Sequence, residues 1–437
     1  MRPRSANGAY PIAQLLAGTW ADPDGGPPIG VPIGAIAIEQ SLRGKEADLL
    51  ASLDLGRHLA VISDPATHVV LGSRVERALA GRAKVASIQL DAQPHADLAT
   101  VNRLRDACAA SDALVAVGSG TVNDLAKYAA ALDHKPYVVF ATAPSMNGYT
   151  SVNAAITVDG HKQSLAAAAA RGVFVDLEIF AAAPARLIRA GVGDSICRST
   201  AQCDWQLSHV LRGTPYREAP FALLARDEPA WLLAPEALFQ GDLEAMEALA
   251  RTLLLSGLGM TLCHGSYPAS QGEHLVSHYV DMFAPASRPP YLHGEQVAVA
   301  TLAMARLQER MLDSPPPTLH ATSETEGSIV TRFGREIGES CWRDFQSKVL
   351  TEATAAALTE RARACWPNLR TAIERFALSS GQIADVLRRA GAPATPEDIG
   401  VSAEFFANAV REARFLRDRY TFLDLAGDAG RLDLALA

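Results

Sequence analysis

From about Val31 to about Pro184 short apolar, β-branched runs alternate with stretches of helical character, and after Ala182 such runs nearly vanish. The runs are His58 to Ile62 (HLAVI), Val85 to Leu90 (VASIQL), Ala113 to Val117 (ALVAV) and Tyr137 to Ala141 (YVVFA). Alternation of this kind marks a parallel sheet with helices on its faces. Beyond Ala182 the chain reads as helices: Pro184 to Arg189, Asp194 to Leu211, Leu243 to Leu258, Gly272 to Phe283, Glu295 to Met311 and several more. One of these, TEATAAALTERARACW, is built from the strongest helix formers. The expected fold is an α/β, Rossmann-like N-terminal domain followed by an all-α C-terminal domain. At 437 residues the chain is longer than one core usually supports. The expected division is an irregular Gly-, Pro- and Asp-rich extension over 1–31, a dinucleotide-binding domain over 32–182, and a helical metal- and substrate-binding domain over 183–437.

Composition limits the partners. A formal net charge of −8 argues against nucleic acid or an anionic membrane as the main target, since both need a basic face. A small anionic substrate needs only a local cluster. The six cysteines are scattered with no Cys-x-x-Cys pair, so reduced, packed thiols are expected rather than a structural zinc site. No apolar run approaches a membrane span, and the start of the chain lacks the pattern of a signal peptide, which together point to the cytoplasm.

Two turns suit a dinucleotide. In ALVAVGSGTVNDLAKY a strand runs into Gly118-Ser119-Gly120 and then a helix. Glycines let the backbone approach a pyrophosphate, and a helix N-terminus supplies N–H groups and a positive dipole end. The full G-x-G-x-x-G spacing is missing, so an ordinary strand-to-helix turn explains this segment equally well when taken alone. A second turn, Thr142 to Ser151, follows the next strand with small hydroxylated residues and glycine. Asp64, just past HLAVIS, can accept hydrogen bonds from a ribose diol and so favour NAD over NADP, or simply start a turn before Pro65.

The second half carries the chemistry. Gly191-Val192-Gly193-Asp194 reads as a helix start, where Asp194 serves as a cap. Glu273-His274-Leu275-Val276-Ser277-His278 sets two histidines at i and i+4 on one helix face, and His293 precedes another apolar helix. The order is not H-E-x-x-H, so a metalloprotease would lack its base. Three of the eleven histidines lie within twenty residues, and one carboxylate plus two imidazoles is a familiar catalytic metal set that keeps open positions.

Several separate segments, in order, resemble the sn-glycerol-1-phosphate dehydrogenases, within the superfamily of iron-containing alcohol dehydrogenases, glycerol dehydrogenases and dehydroquinate synthases. They are GSGTVNDLAKY, ATAPSMNGYTS, RLIRAGVGDSICRSTAQCDWQLSH, GEHLVSHYVDMF, HGEQVAVAT and LRDRYTFLDL, spread over about residues 55 to 425. The resemblance implies the dehydroquinate synthase-like fold and one divalent metal, zinc first, with nickel or iron as alternatives. It further implies Asp194, His274 and His293 as ligands. Gly118, Ser119, Gly120, Asn123 and Asp124 would line the pyrophosphate of NAD or NADP, with Thr142, Ser145 and Tyr149 near the nicotinamide.

The substrate implied is a small phosphorylated polyol, sn-glycerol 1-phosphate interconverting with dihydroxyacetone phosphate, and the assembly a homo-oligomer. His278, one turn from His274, is the candidate for moving the hydroxyl proton. Lys162 and Arg198 are the candidate cations for the substrate phosphate. Where relatives carry Asp in the S-M-D-G-Y turn this chain has Asn147, beside the substrate, and where relatives commonly carry Lys it has Arg198. Other readings remain open: a dehydrogenase of another polyol or sugar phosphate, a cyclase of the dehydroquinate synthase type, or a catalytically idle scaffold.

Overall fold

The runs that read as unbroken apolar segments are the ones buried on both faces, as a parallel sheet covered by helices requires. The computed structural model describes residues 11–158, 161–285 and 287–436, with the side chains of His161 and Lys162 outside that description. Among the described residues the strands are β1 (Ala35–Glu39), β2 (His58–Ser63), β3 (Lys84–Gln89), β4 (Ala113–Gly118), β5 (Tyr137–Ala141), β6 (Asn153–Val158), β7 (His161–Ala166) and β8 (Gly172–Asp176). Six form one sheet in the order β1-β8-β5-β4-β2-β3, every pairing parallel. β6 and β7 make a separate antiparallel hairpin. AIAIE (β1) and GVFVD (β8) thus extend the sheet beyond the four runs singled out by sequence.

The order matters for ligands. From β2 the chain passes to β3 on one side, whereas from β4 it passes to β5 on the other. The C-terminal ends of β2 and β4 therefore flank a topological switch point, the crevice where open α/β sheets bind nucleotides. Asp64 follows β2 there, and Gly118-Ser119-Gly120 ends β4.

The chain divides into two compact units, one of the chain up to Gly191 with Arg217–Ser266, the other of Val192–Tyr216 with Tyr267–Ala437. The single boundary expected near residue 182 thus gives way to three crossings. Residues 217–266 return to the sheet unit because the apolar helix Leu243–Leu262 needs cover that its own stretch cannot supply. Its Leu255 and Leu258 share a buried cluster with Leu223, Leu224, Ile33 and, from the N-terminal segment, Ile12 and Leu15. The region expected to be irregular accordingly contains a helix, Pro11–Ala17, and an antiparallel bridge between Trp20 and Ile29. Asp22 and Asp24 fasten it further, pairing with Arg217 at 2.7 and 3.1 Å.

The second unit is helical among its described residues, and its core runs from Leu207 and Val276 through Val299, Ala303 and Leu307 to Ile373 and Phe422. No helix of the described residues is long and apolar enough to cross a membrane.

Candidate active site

At the end of β4, Gly118 is required by sterics: a Cβ there would lie 2.5 Å from Val122 Cβ on the following helix, Gly120–Leu132. At Gly120 the nearest atom to such a Cβ is Met146 Cγ at 3.4 Å, so the protein itself leaves that face open. Ser119 is the N-cap in extended conformation, and its side chain does not cap the helix. The first-turn N–H groups and the dipole end keep their affinity for an anion.

The neighbouring turn is held from several sides. Tyr149 Oη donates to Ala143 O at 2.8 Å, Thr150 Oγ1 to Leu254 O at 2.6 Å, and Asn147 Nδ2 to Ser256 Oγ at 3.3 Å. Gly257 lets the helix approach this closely, since a Cβ there would come within 2.3 Å of Asn147 O. Thr142, Ser145 and Asn147 lie in this turn, each mostly buried.

Asn123 is wholly buried and donates to Asp124 Oδ1, while Asp124 Oδ2 accepts from Ala155 N on β6. Tyr149 is likewise internal, and burial pushes its phenol well above the usual range. These three side chains make bonds inside the fold that help hold the turns in shape. Asp64 accepts from Thr67 N at 2.8 Å within a capping box, so the structure gives its side chain local work that the sequence offered as the alternative. Lys162 stands on β7 opposite Thr157, its side chain outside the described residues.

In the helical unit Asp194, His274 and His293 come together, their ligand atoms within 4.8 Å of one another. His274 Nε2 is 3.8 Å from Asp194 Oδ1, and the rings of His274 and His293 have centroids 5.0 Å apart. His274 is on the helix Gly272–Phe283 and His293 is the first residue of His293–Asp313, whose Glu295 accepts from Leu292 N. Asp194 does not begin a helix, contrary to the sequence reading: it lies in the last turn of Ala185–Ile196. Gly191 and Gly193 misled that reading. They serve close approach rather than a helix break, as a Cβ on Gly193 would sit 2.0 Å from Gly294 O and one on Gly191 1.7 Å from Pro144 O.

The donor set suits a divalent ion. Atoms roughly 2.0–2.1 Å from one tetrahedral ion are about 3.4 Å apart, close to the Asp194–His274 separation. Two neutral imidazoles and a carboxylate leave a coordination position open. His274 Nδ1 faces Glu273 Oε1 at 2.8 Å, which leaves Nε2 toward Asp194. His278 completes the cluster, its ring centroid 6.3 Å from that of His274 and 6.1 Å from that of His293, and it is partly exposed. Arg198, one turn beyond Asp194, is buried and donates to Gln202 Oε1 at 2.9 Å and to Phe376 O.

Three buried residues went unnoticed in the sequence as site builders. Lys127 donates to Gly148 O and Asn153 O at 2.6 and 2.9 Å, clamping the end of the second turn, and burial pushes its amine down to about 8. Asp204 accepts from Gly272 N and Phe422 N, joining the start of the His274 helix to the LRDRYTFLDL segment. Burial and neighbouring Glu273 raise its carboxyl well above the usual range. Glu273 is the third, and only its adjacency to His274 signals it in sequence.

Comparison with known proteins agrees with this architecture. The sequence pattern of the iron-containing alcohol dehydrogenases matches residues 37–184, which span β1 to β8. A probable glycerol dehydrogenase from Sinorhizobium meliloti 1021 has the same fold, with a TM-score of 0.61 at 19% identity over 92% of this chain and 97% of that one. Residues 37–184 thus carry the pattern of the iron-containing alcohol dehydrogenases, and the fold is shared with that glycerol dehydrogenase. A glycerol-1-phosphate dehydrogenase (NAD(P)+) from Bacillus subtilis (strain 168) is 29% identical over 405 residues, 90% of this chain and 92% of that protein. A protein of the same description from Thermococcus sibiricus is 31% identical over 274 residues, 62% of this chain and 77% of its own length. The chain belongs to the glycerol-1-phosphate dehydrogenase family.

Proposed function

We propose that this chain is an NAD(P)-dependent oxidoreductase interconverting sn-glycerol 1-phosphate and dihydroxyacetone phosphate. The observation that carries the reading is the meeting of Asp194, His274 and His293 within 4.8 Å in a chain whose relatives bear that activity in their names. Asp194, His274 and His293 would hold the ion, with zinc best suited to one oxygen and two imidazole nitrogens. When bound, the ion supplies Lewis acidity toward a substrate oxygen, and the dinucleotide supplies a hydride acceptor or donor.

The rest falls to the chain's own residues. Gly118, Ser119 and Gly120 present backbone N–H groups to the pyrophosphate, and Thr142 and Ser145 offer hydroxyls on the adjacent turn. Asp194 brings one negative charge to the cluster, offsetting part of the ion's charge. His278 takes the substrate hydroxyl proton and, being partly exposed, passes it to solvent. Arg198, held by Gln202, provides a fixed positive charge for the phosphate, with Lys162 as a second source. Asn147, bonded to Ser256 Oγ, puts a neutral amide where relatives place a carboxylate beside the substrate, which alters which hydroxyls the site accepts.

Steady-state kinetics with glycerol, glycerol 1-phosphate, glycerol 3-phosphate and dihydroxyacetone phosphate, each with both dinucleotides, test this. Turnover best with glycerol 1-phosphate and dihydroxyacetone phosphate, lost on chelation and restored by metal, is expected. Faster turnover of free glycerol, or no net redox change with any of them, refutes the substrate assignment.

A further inference from the structure

Two sets of donor groups overlap at His274. One is Asp194, His274 and His293; the other is Cys197, Glu273 and His274, all buried, with ligand atoms also within 4.8 Å of one another. An imidazole bound to an ion through one nitrogen normally gives the other nitrogen's N–H to an acceptor, which settles both the tautomer and the ring orientation. A partner on one nitrogen of His274 therefore leaves the other for an ion.

We propose that Glu273 is a positioning residue that commits His274 to coordinate through Nε2, and so assigns the ion to Asp194 and His293 rather than to Cys197. The inference rests on the metal reading above. Glu273 is completely buried in the first turn of its helix. Neighbouring residues on a helix do not ordinarily face each other. Here they meet because the Glu273 side chain turns back over the helix start, where Oε1 accepts from Gln271 N at 2.8 Å while Oε2 lies 3.4 Å from Thr200 Oγ1. Folded that way, Oε1 is also 2.8 Å from His274 Nδ1.

The bond occupies Nδ1 and that carboxylate oxygen with each other. It leaves the Nε2 lone pair on the side of Asp194, 3.8 Å away. Cys197 Sγ is meanwhile turned to backbone carbonyls, 3.3 Å from Asp194 O and 3.7 Å from Ala269 O. A carboxylate behind the imidazole also raises its basicity as a ligand.

The test is metal affinity rather than turnover. Zinc and cobalt(II) are titrated against a chromophoric chelator in the full chain, in Glu273→Leu, which removes the acceptor while filling the space, and in Glu273→Gln, which keeps an acceptor oxygen. Glu273→Leu is expected to bind about 10- to 100-fold more weakly, with Glu273→Gln recovering most of the loss. In the wild-type chain labelled with nitrogen-15 at histidine and loaded with zinc, His274 is expected as the Nδ1–H tautomer. Its cobalt form is expected to lack a thiolate-to-metal charge-transfer band. Undiminished affinity in a folded Glu273→Leu, an Nε2–H tautomer, or a thiolate band each overturns the proposal. If Glu273→Leu does not fold, the wild-type spectra decide it. A wild-type chain that holds no metal overturns the metal reading and this role together, whereas normal wild-type affinity with an indifferent Glu273→Leu overturns this role alone.

Discussion

Replacing Lys127 with methionine probes how the second turn is held, and pH makes the measurement selective. The amine is wholly buried and bonded to Gly148 O, Asn153 O and Ser151 Oγ at 2.6, 2.9 and 3.3 Å. Desolvation pushes it from 10.5 down to about 8, against a smaller opposing pull from Asp124. The gap of about 2.5 pH units, at about 1.4 kcal/mol each, amounts to about 3 kcal/mol. Below pH 8 both folded and unfolded chains carry the proton, so the folded chain bears the whole cost of the buried charge. Between pH 8 and 10.5 the unfolded chain still binds it and the folded chain does not, so stability rises with pH. A neutral amine still donates two hydrogens, enough for the two carbonyls, and Ser151 can donate to its lone pair. Urea unfolding of wild type and Lys127→Met from pH 6 to 10.5 cancels the groups common to both. The wild-type advantage should be flat below about pH 8 and then grow by about 3 kcal/mol. A flat or falling difference across that window would show that the amine is neither desolvated nor engaged as described.

His274→Ala should lose bound metal and activity together, whereas His278→Ala should keep its metal and slow turnover by roughly 10²-fold or more; elemental analysis beside kinetics distinguishes them, and normal metal content in His274→Ala refutes its place in the cluster. Gly193→Ala forces a Cβ to within 2.0 Å of Gly294 O, so thermal melts should show about 1–3 kcal/mol of destabilisation with weaker metal binding, since the neighbouring Asp194 must move. Gly118→Ala, meeting Val122 at 2.5 Å, should lower stability and dinucleotide affinity together. Gly120→Ala, with its nearest atom at 3.4 Å, should melt like wild type yet bind NAD(P) more weakly; unchanged cofactor affinity by fluorescence titration would remove the pyrophosphate from that turn.

Much of the architecture follows from local pattern. Strands β2, β4 and β5 declare themselves because a parallel strand covered on both faces must be apolar throughout, and Gly272–Phe283 is legible because its apolar positions recur at helical spacing. The pairing of His274 with His278 is local too, one helical turn apart. Other features depend on distant partners. Glycines at 191 and 193 look like helix breaks until Pro144 O and Gly294 O are seen pressing on them. That Asp124 accepts from Ala155 N and Tyr149 donates to Ala143 O is equally invisible in the sequence. The apolar helix Leu243–Leu262 has nothing in its own sequence to say that it belongs with the sheet. By itself the sequence determined which side chains were available for chemistry and which helices and strands carry them, because secondary structure and residue type are short-range properties. Only the tertiary structure decided that Asp194 meets His274 and His293, because a contact across 80 or more residues depends on how whole helices pack.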